Sequence, residues 1–138
     1  MAAVTPVSDQ AEILALIEAV LTWDPYGVEG PPDYDLALSR AEQFTAYGRV
    51  VAEELRTLCR DVPADCDVVR SARSTLGEAD RRLYLPPPSA TRPAAVVRAQ
   101  NIVRLVHALL HATAQVHEAR ARSAGRDTPH TTTKGALG

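Results

Sequence analysis

The chain has 138 residues, 46% of them hydrophobic, a formal net charge of −2 and two cysteines. That length holds one domain with its own core and requires neither disulfides nor a structural metal; the near-neutral charge speaks against a strongly basic nucleic-acid binder. No run of 18 apolar residues occurs and the first residues lack the basic and apolar segments of a secretory signal, so the expectation is a cytoplasmic protein with reduced thiols and no membrane span.

With a single Phe and a single Trp, the core must be built from Leu, Val, Ile and Ala, which suit close helix packing. The first helix is expected over 9–23. Asp9 and Glu12 stand in the capping-box relation, and Ile13, Leu14, Leu16, Ile17, Val20 and Leu21 form an apolar face wide enough for two neighbours. Asp24-Pro25 stops it, and PYGVEGPP over 25–32 is a linker. The second helix, over 34–61, carries Ala37, Ala41, Phe44, Gly48, Val51, Leu55, Leu58 and Val62 at alternating spacings of four and three, a heptad-like seam. Glu42, Arg49, Glu53, Arg56 and Arg60 on its other side read as a solvated face of alternating charge. Gly48 costs about 1 kcal/mol relative to Ala in a helix. Its place on the seam points to the close approach of another helix; a kink that opens a pocket is the rival reading.

The brief Val62-Pro63-Ala64 connection makes the third helix, over 65–83, an antiparallel neighbour of the second. Val68, Val69, Ala72, Leu76, Ala79 and Leu83 share its buried face. Tyr84-Leu85-Pro86-Pro87-Pro88 ends it in a stiff connector. The fourth helix, over 93–122, follows a cap at Thr91 with Pro93 in its first turn. Ile102, Val103, Val106, Leu109, Leu110, Thr113 and Val116 form its core face, packed on the Ala37 to Val62 seam, while Arg104, His107, His111 and Glu118 face outward. The fold expected is all-α: an antiparallel four-helix bundle forming a single domain over 1–124, with a flexible tail over 125–138. The fourth helix spans roughly 45 Å against about 28 Å for the third. Its stretch beyond Leu110, with Thr113, Val116 and His117, is therefore the expected subunit interface of a homodimer or a protein partner.

Charge is divided along the chain: residues 1–69 hold 4 Arg against 13 Asp and Glu, and residues 70–138 hold 11 Arg and Lys against 4. Acidic and basic helices lying side by side account for this; a polarised surface that recruits a charged partner is the alternative. The nearest approach to a metal constellation is His107 and His111 at i, i+4, with Glu118 further along the same helix. It lacks the intervening Glu of the zinc-protease motif and any identifiable further ligand, so no metal, cofactor or catalytic residue is assigned; His107 and His111 are expected at the surface, and His117, at the edge of the apolar face, is expected to be packed. Cys59 and Cys66 flank a turn but are not spaced as C-x-x-C. No Glu-x-x-His pair, G-x-S-x-G, G-x-G-x-x-G or Walker pattern is present. Arg70, Arg73 and Arg81 beside Gly77 offer a basic edge, without the density of charge that nucleic acid requires.

Three stretches, AEELRTLCRDVPAD, ARSTLGEADRRLYLPPP and RAQNIVRLVHALLHA, lie between Val51 and Ala114. Over that half of the chain the sequence resembles a family of small uncharacterised proteins of streptomycetes and related bacteria labelled natural product biosynthesis proteins. The excess of Arg over Lys, 14 to 1, is what a high-GC genome encodes. The resemblance implies an association with secondary metabolism and supplies no catalytic residues. The expectation is a helical accessory or regulatory interaction module; a small enzyme or ligand-binding protein with a pocket between helices, near Gly48 and the histidine pair, is the alternative.

Overall fold

The computed structural model describes residues 10–28, 30–85 and 90–137, with side chains as far as Gly125. Four helices make up the fold: α1 Gln10–Leu21, α2 Tyr34–Cys59, α3 Asp67–Arg82 and α4 Arg92–Leu137. Each expected helix is present, and there is no strand among the described residues.

α4 is the centre of the arrangement, packing against α2, α3 and α1 in decreasing extent. Its strongest partner runs parallel to it. Ala37 clusters with Ala95 and Val96, Gly48 lies against Val106, and Asp61 meets Arg120 at 3.5 Å. α3 doubles back antiparallel to both, and α1 lies along α4 with its C-terminal end at Gln100. The direction alternates from helix to helix, as the short connections require.

The seam of α2 is buried throughout, from Ala37 to Val62. A Cβ added to Gly48 would sit 3.1 Å from Val106 Cγ2 and 3.3 Å from Leu83 Cδ2. The glycine therefore brings three helices together, and no pocket opens there. On α4 the buried arc is wider than its expected aliphatic stripe, because Ala95, Val96, Ala99, Leu105, Ala112 and Ala119 are also covered; small alanines complete the face where neighbouring backbones come close. α1 buries Ile13, Ile17 and Val20 but leaves Leu14 and Leu21 exposed, since its packing is chiefly with α4 rather than with two helices.

Two helix starts are capped by side chains, whereas Cys66 at the start of α3 gives no side-chain cap. Asp33 caps α2 by accepting from the Leu36 N–H at 2.8 Å, and Thr91 caps α4 by accepting from Ala94 N–H at 3.3 Å, as its sequence position suggested. Three further contacts come from distant elements. Gln100 Nε2 donates to the carbonyls of Val20 (3.2 Å) and Trp23 (2.8 Å) at the end of α1. Arg49 donates through Nε and Nη2 to Leu83 O, at 3.2 and 2.7 Å, and its guanidinium stacks over the Tyr84 ring. Arg92 donates to Pro32 O, Pro25 O and Gly27 O, holding the α1–α2 loop against the start of α4. Arg49 is thus a clamp on the end of α3, not one more member of a solvated charge pattern.

Of the two ion pairs described between the halves, Arg120 with Asp61 at 3.5 Å joins the basic half to the acidic one, whereas Arg56 with Asp80 at 2.8 Å runs the other way, from an arginine of the acidic half to an aspartate of the basic half. The backbone of α4 is helical to Leu137, past the end at 122 expected from its apolar period, although the last buried side chain described is Ala119. Asp9 of the expected capping box, the Pro86 to Pro88 connector, and the side chains over 126–138, where a flexible tail is expected, lie outside the described residues. Among the described residues no helix is long and apolar enough to cross a membrane.

Two substitutions test this packing by urea denaturation. Gly48→Ala should change stability by less than ~1 kcal/mol, because the gain in helix propensity opposes the crowding at Val106, whereas Gly48→Val should lower it by about 1–3 kcal/mol. Gln100→Leu, which removes the donor to two α1 carbonyls, should cost about 1–3 kcal/mol.

Candidate functional site

α3 is too short to cover all of α4. Leu83, just past its end, already lies at the level of Gly48 and Val106, so the turns of α4 from Arg92 to Ile102 extend roughly 20 Å beyond it. The α1–α2 loop, tied down by Arg92, closes the other side. Between them is a cavity of about 760 Å³, within the range that accommodates a small organic ligand.

Its floor comes from two adjacent rows of α4 at i, i+4, i+8: Pro93, Val97, Asn101 and Ala94, Arg98, Ile102. Arg82 and Leu85 contribute the α3 side, Tyr26 the loop side and Thr91 the entrance to α4. The rim is unusually apolar for a surface, with Tyr26 78% exposed and Leu85 61% exposed.

The polar groups differ in how far they are satisfied. Arg82 pairs through Nε with Glu78. The hydrogen bond from Arg81 and then the charge of Arg82 hold the Glu78 carboxyl below the usual carboxylate range. Asn101 Oδ1 accepts from Arg104 Nη1 at 3.2 Å. Arg98 is half-buried, and its Nη1 is fully buried with no hydrogen-bond partner among the described residues. The described lining contains no carboxylate, histidine or thiol. It is equipped to hold a molecule by donors and apolar surface.

The residues singled out from sequence lie elsewhere. His107, His111 and Glu118 are all exposed on the outer face of α4. Glu118 turns toward the C-terminus to pair with Arg122 at 3.1 Å, and among the described residues no group of three His, Cys, Asp or Glu is placed to hold a metal ion. Of the expected subunit interface, Thr113 and Val116 are buried within this chain, Leu110 is half-buried against the core and His117 is exposed. The reason is the length of α2: its 26 residues and the turn at Val62 reach as far along α4 as Ala119, so no second subunit is needed to cover Thr113 and Val116. The part of α4 that α3 leaves uncovered is the stretch from Arg92 to Ile102, at the other end of the described core from Thr113 and Val116.

Cys59 is buried and Cys66 half-buried, and both are free thiols. Burial raises the Cys59 thiol, and nearby Arg73 acts against that rise. Arg70 and Arg81, two of the three arginines of the basic edge, are engaged by Asp67 and Glu78 on their own helix.

Tyr26, Arg82 and Arg98 were not marked by any motif. A faint signal existed in the exposed apolar run Tyr84-Leu85 and in an arginine standing between Val97 and Ala99 on the longest helix.

No curated protein and no solved structure matches the chain. The family described as a family of unknown function, DUF6415, matches residues 11–118, which take in all of α2 and α3 and α4 as far as Glu118. The chain belongs to that DUF6415 family.

Proposed function

We propose that this protein is a helical accessory module that binds a small organic molecule in the cavity between α3, the α1–α2 loop and the N-terminal third of α4. The observation that carries the reading is the cavity itself: about 760 Å³ lined mainly by apolar side chains, with a few donors at fixed positions. A role in natural product biosynthesis rests on the sequence resemblance and is part of the proposal; a pathway intermediate or product is the occupant such a setting offers.

A protein-interaction role is the second reading, favoured by the exposure of Tyr26, Tyr84 and Leu85 around the same mouth. A homodimer or another protein closing over that rim fits it better than contacts at the far end of α4, where Thr113 and Val116 are already covered.

Nile red, an uncharged apolar fluorophore, tests the first reading. The folded protein should bind it at one site, and Ala94→Trp, which fills the floor of the cavity, should weaken binding at least about tenfold. Equal binding by the variant would place the dye elsewhere and remove the support for this reading. Light scattering tests the second: a dimer that dissociates in Leu85→Asp would support it, and a monomer at high concentration would count against self-association.

A further inference from the structure

Resting on that reading, we infer that the cavity takes the anionic head, carboxylate or phosphate, of a ligand with an apolar body, and that Arg98 holds the head.

A guanidinium stays charged in proteins and carries five N–H donors. Burying part of it without a partner is costly, so a buried donor left open calls for a reason, and completion by an incoming acceptor is one. Arg98 lines the cavity, and its side chain makes no hydrogen bond or ion pair with the described residues; its Nη1 is wholly covered by protein, so an anion in the cavity meets the guanidinium through its other N–H groups.

The neighbouring groups agree in sign. Thr91 Oγ1 accepts from Ala94 N–H, which leaves its hydroxyl proton to donate. Asn101 has its oxygen engaged by Arg104, which leaves its amide N–H groups. Arg82 adds a second cation, offset by Glu78 behind it. Donors therefore outnumber acceptors, and no described acidic residue lines the space. An arginine fork suits both carboxylate and phosphate oxygens, while Leu85, Val97 and Ile102 offer the rest of the ligand an apolar wall. An uncharged ligand would fill the volume but leave the arginine uncompensated.

The experiment is displacement of Nile red by octanoate, octyl phosphate and octanol, which share a chain and differ in the head. In the wild-type protein at least one of the two anions should displace the dye at a concentration about 10–100-fold lower than octanol does, the range expected for a charge-assisted hydrogen bond. Whichever anion is preferred identifies the head group. In Arg98→Met the preference should collapse to within about twofold while octanol is unaffected. The ligand-free variant should melt no lower than wild type, because a buried unpaired charge has been replaced by an apolar side chain of similar length. Arg98→Lys, which keeps the charge but not the fork, should retain only part of the preference and provides the comparison if the methionine variant does not fold.

Equal displacement by octanol and both anions in the wild-type protein would overturn the anionic head while leaving the cavity reading in place. Failure of Nile red to bind at all would instead remove the cavity reading, and this inference with it. A lower melting temperature in Arg98→Met together with an unchanged preference for the anions would assign Arg98 to the fold and overturn its role.

Discussion

The fold depends on the contact between α2 and α4 at Gly48. Two parallel helices can bury a long seam only if their axes come close along much of its length, and side-chain volume sets that distance. Ala37, Ala41 and Gly48 on α2 and Ala95 and Ala99 on α4 keep it small, while Phe44, Leu55 and Val106 fill the space on either side. Leu83 reaches the same point from α3. The first half of the seam thus relies on small residues and the second on branched ones, which lets three helices share one centre.

Close packing leaves the helix ends as the remaining difficulty, because their last carbonyls have no partner within the helix. Gln100 and Arg49 supply donors to α1 and to the residue after α3, each from a helix other than the one it completes. Arg92 does the same for the irregular loop that follows α1. These contacts settle where each connection lies on its neighbours, and hence give the cavity fixed walls on the loop and α3 sides.

Much of this architecture is written locally. The four-and-three spacing from Ala37 to Val62, the Val62-Pro63 turn and the Thr91-Arg92-Pro93 start are patterns within a few residues of one another, and each corresponds to the element it suggested. Gly48 was legible because a poor helix former in the middle of a seam calls for a packing reason. What was not legible is relational. Helix lengths show that α3 is shorter than α4 but not at which end the deficit falls; this follows from Leu83 lying beside Val106. Arg49 sits among residues of alternating charge, and nothing near it in sequence indicates that its partner is a carbonyl 34 positions later. Arg98 has the same difficulty: an arginine on an amphipathic helix is commonplace, and its buried, unpartnered nitrogen becomes visible only once the surrounding chain is in place. The histidine pair illustrates the reverse, a suggestive spacing that the fold leaves on an outer face.

The parallel pairing of α2 with α4 also bears on how the chain reaches this structure. Helical bundles whose neighbours in space are neighbours in sequence form largely from local contacts and fold quickly. Here the dominant partners are separated by the whole of α3, so α2 cannot bury its seam until most of the chain is available. On the ribosome α1, α2 and α3 all emerge before α4, the helix against which each of them packs, and apolar surface left waiting in this way invites association with other chains. The core cannot be completed before α4 is available.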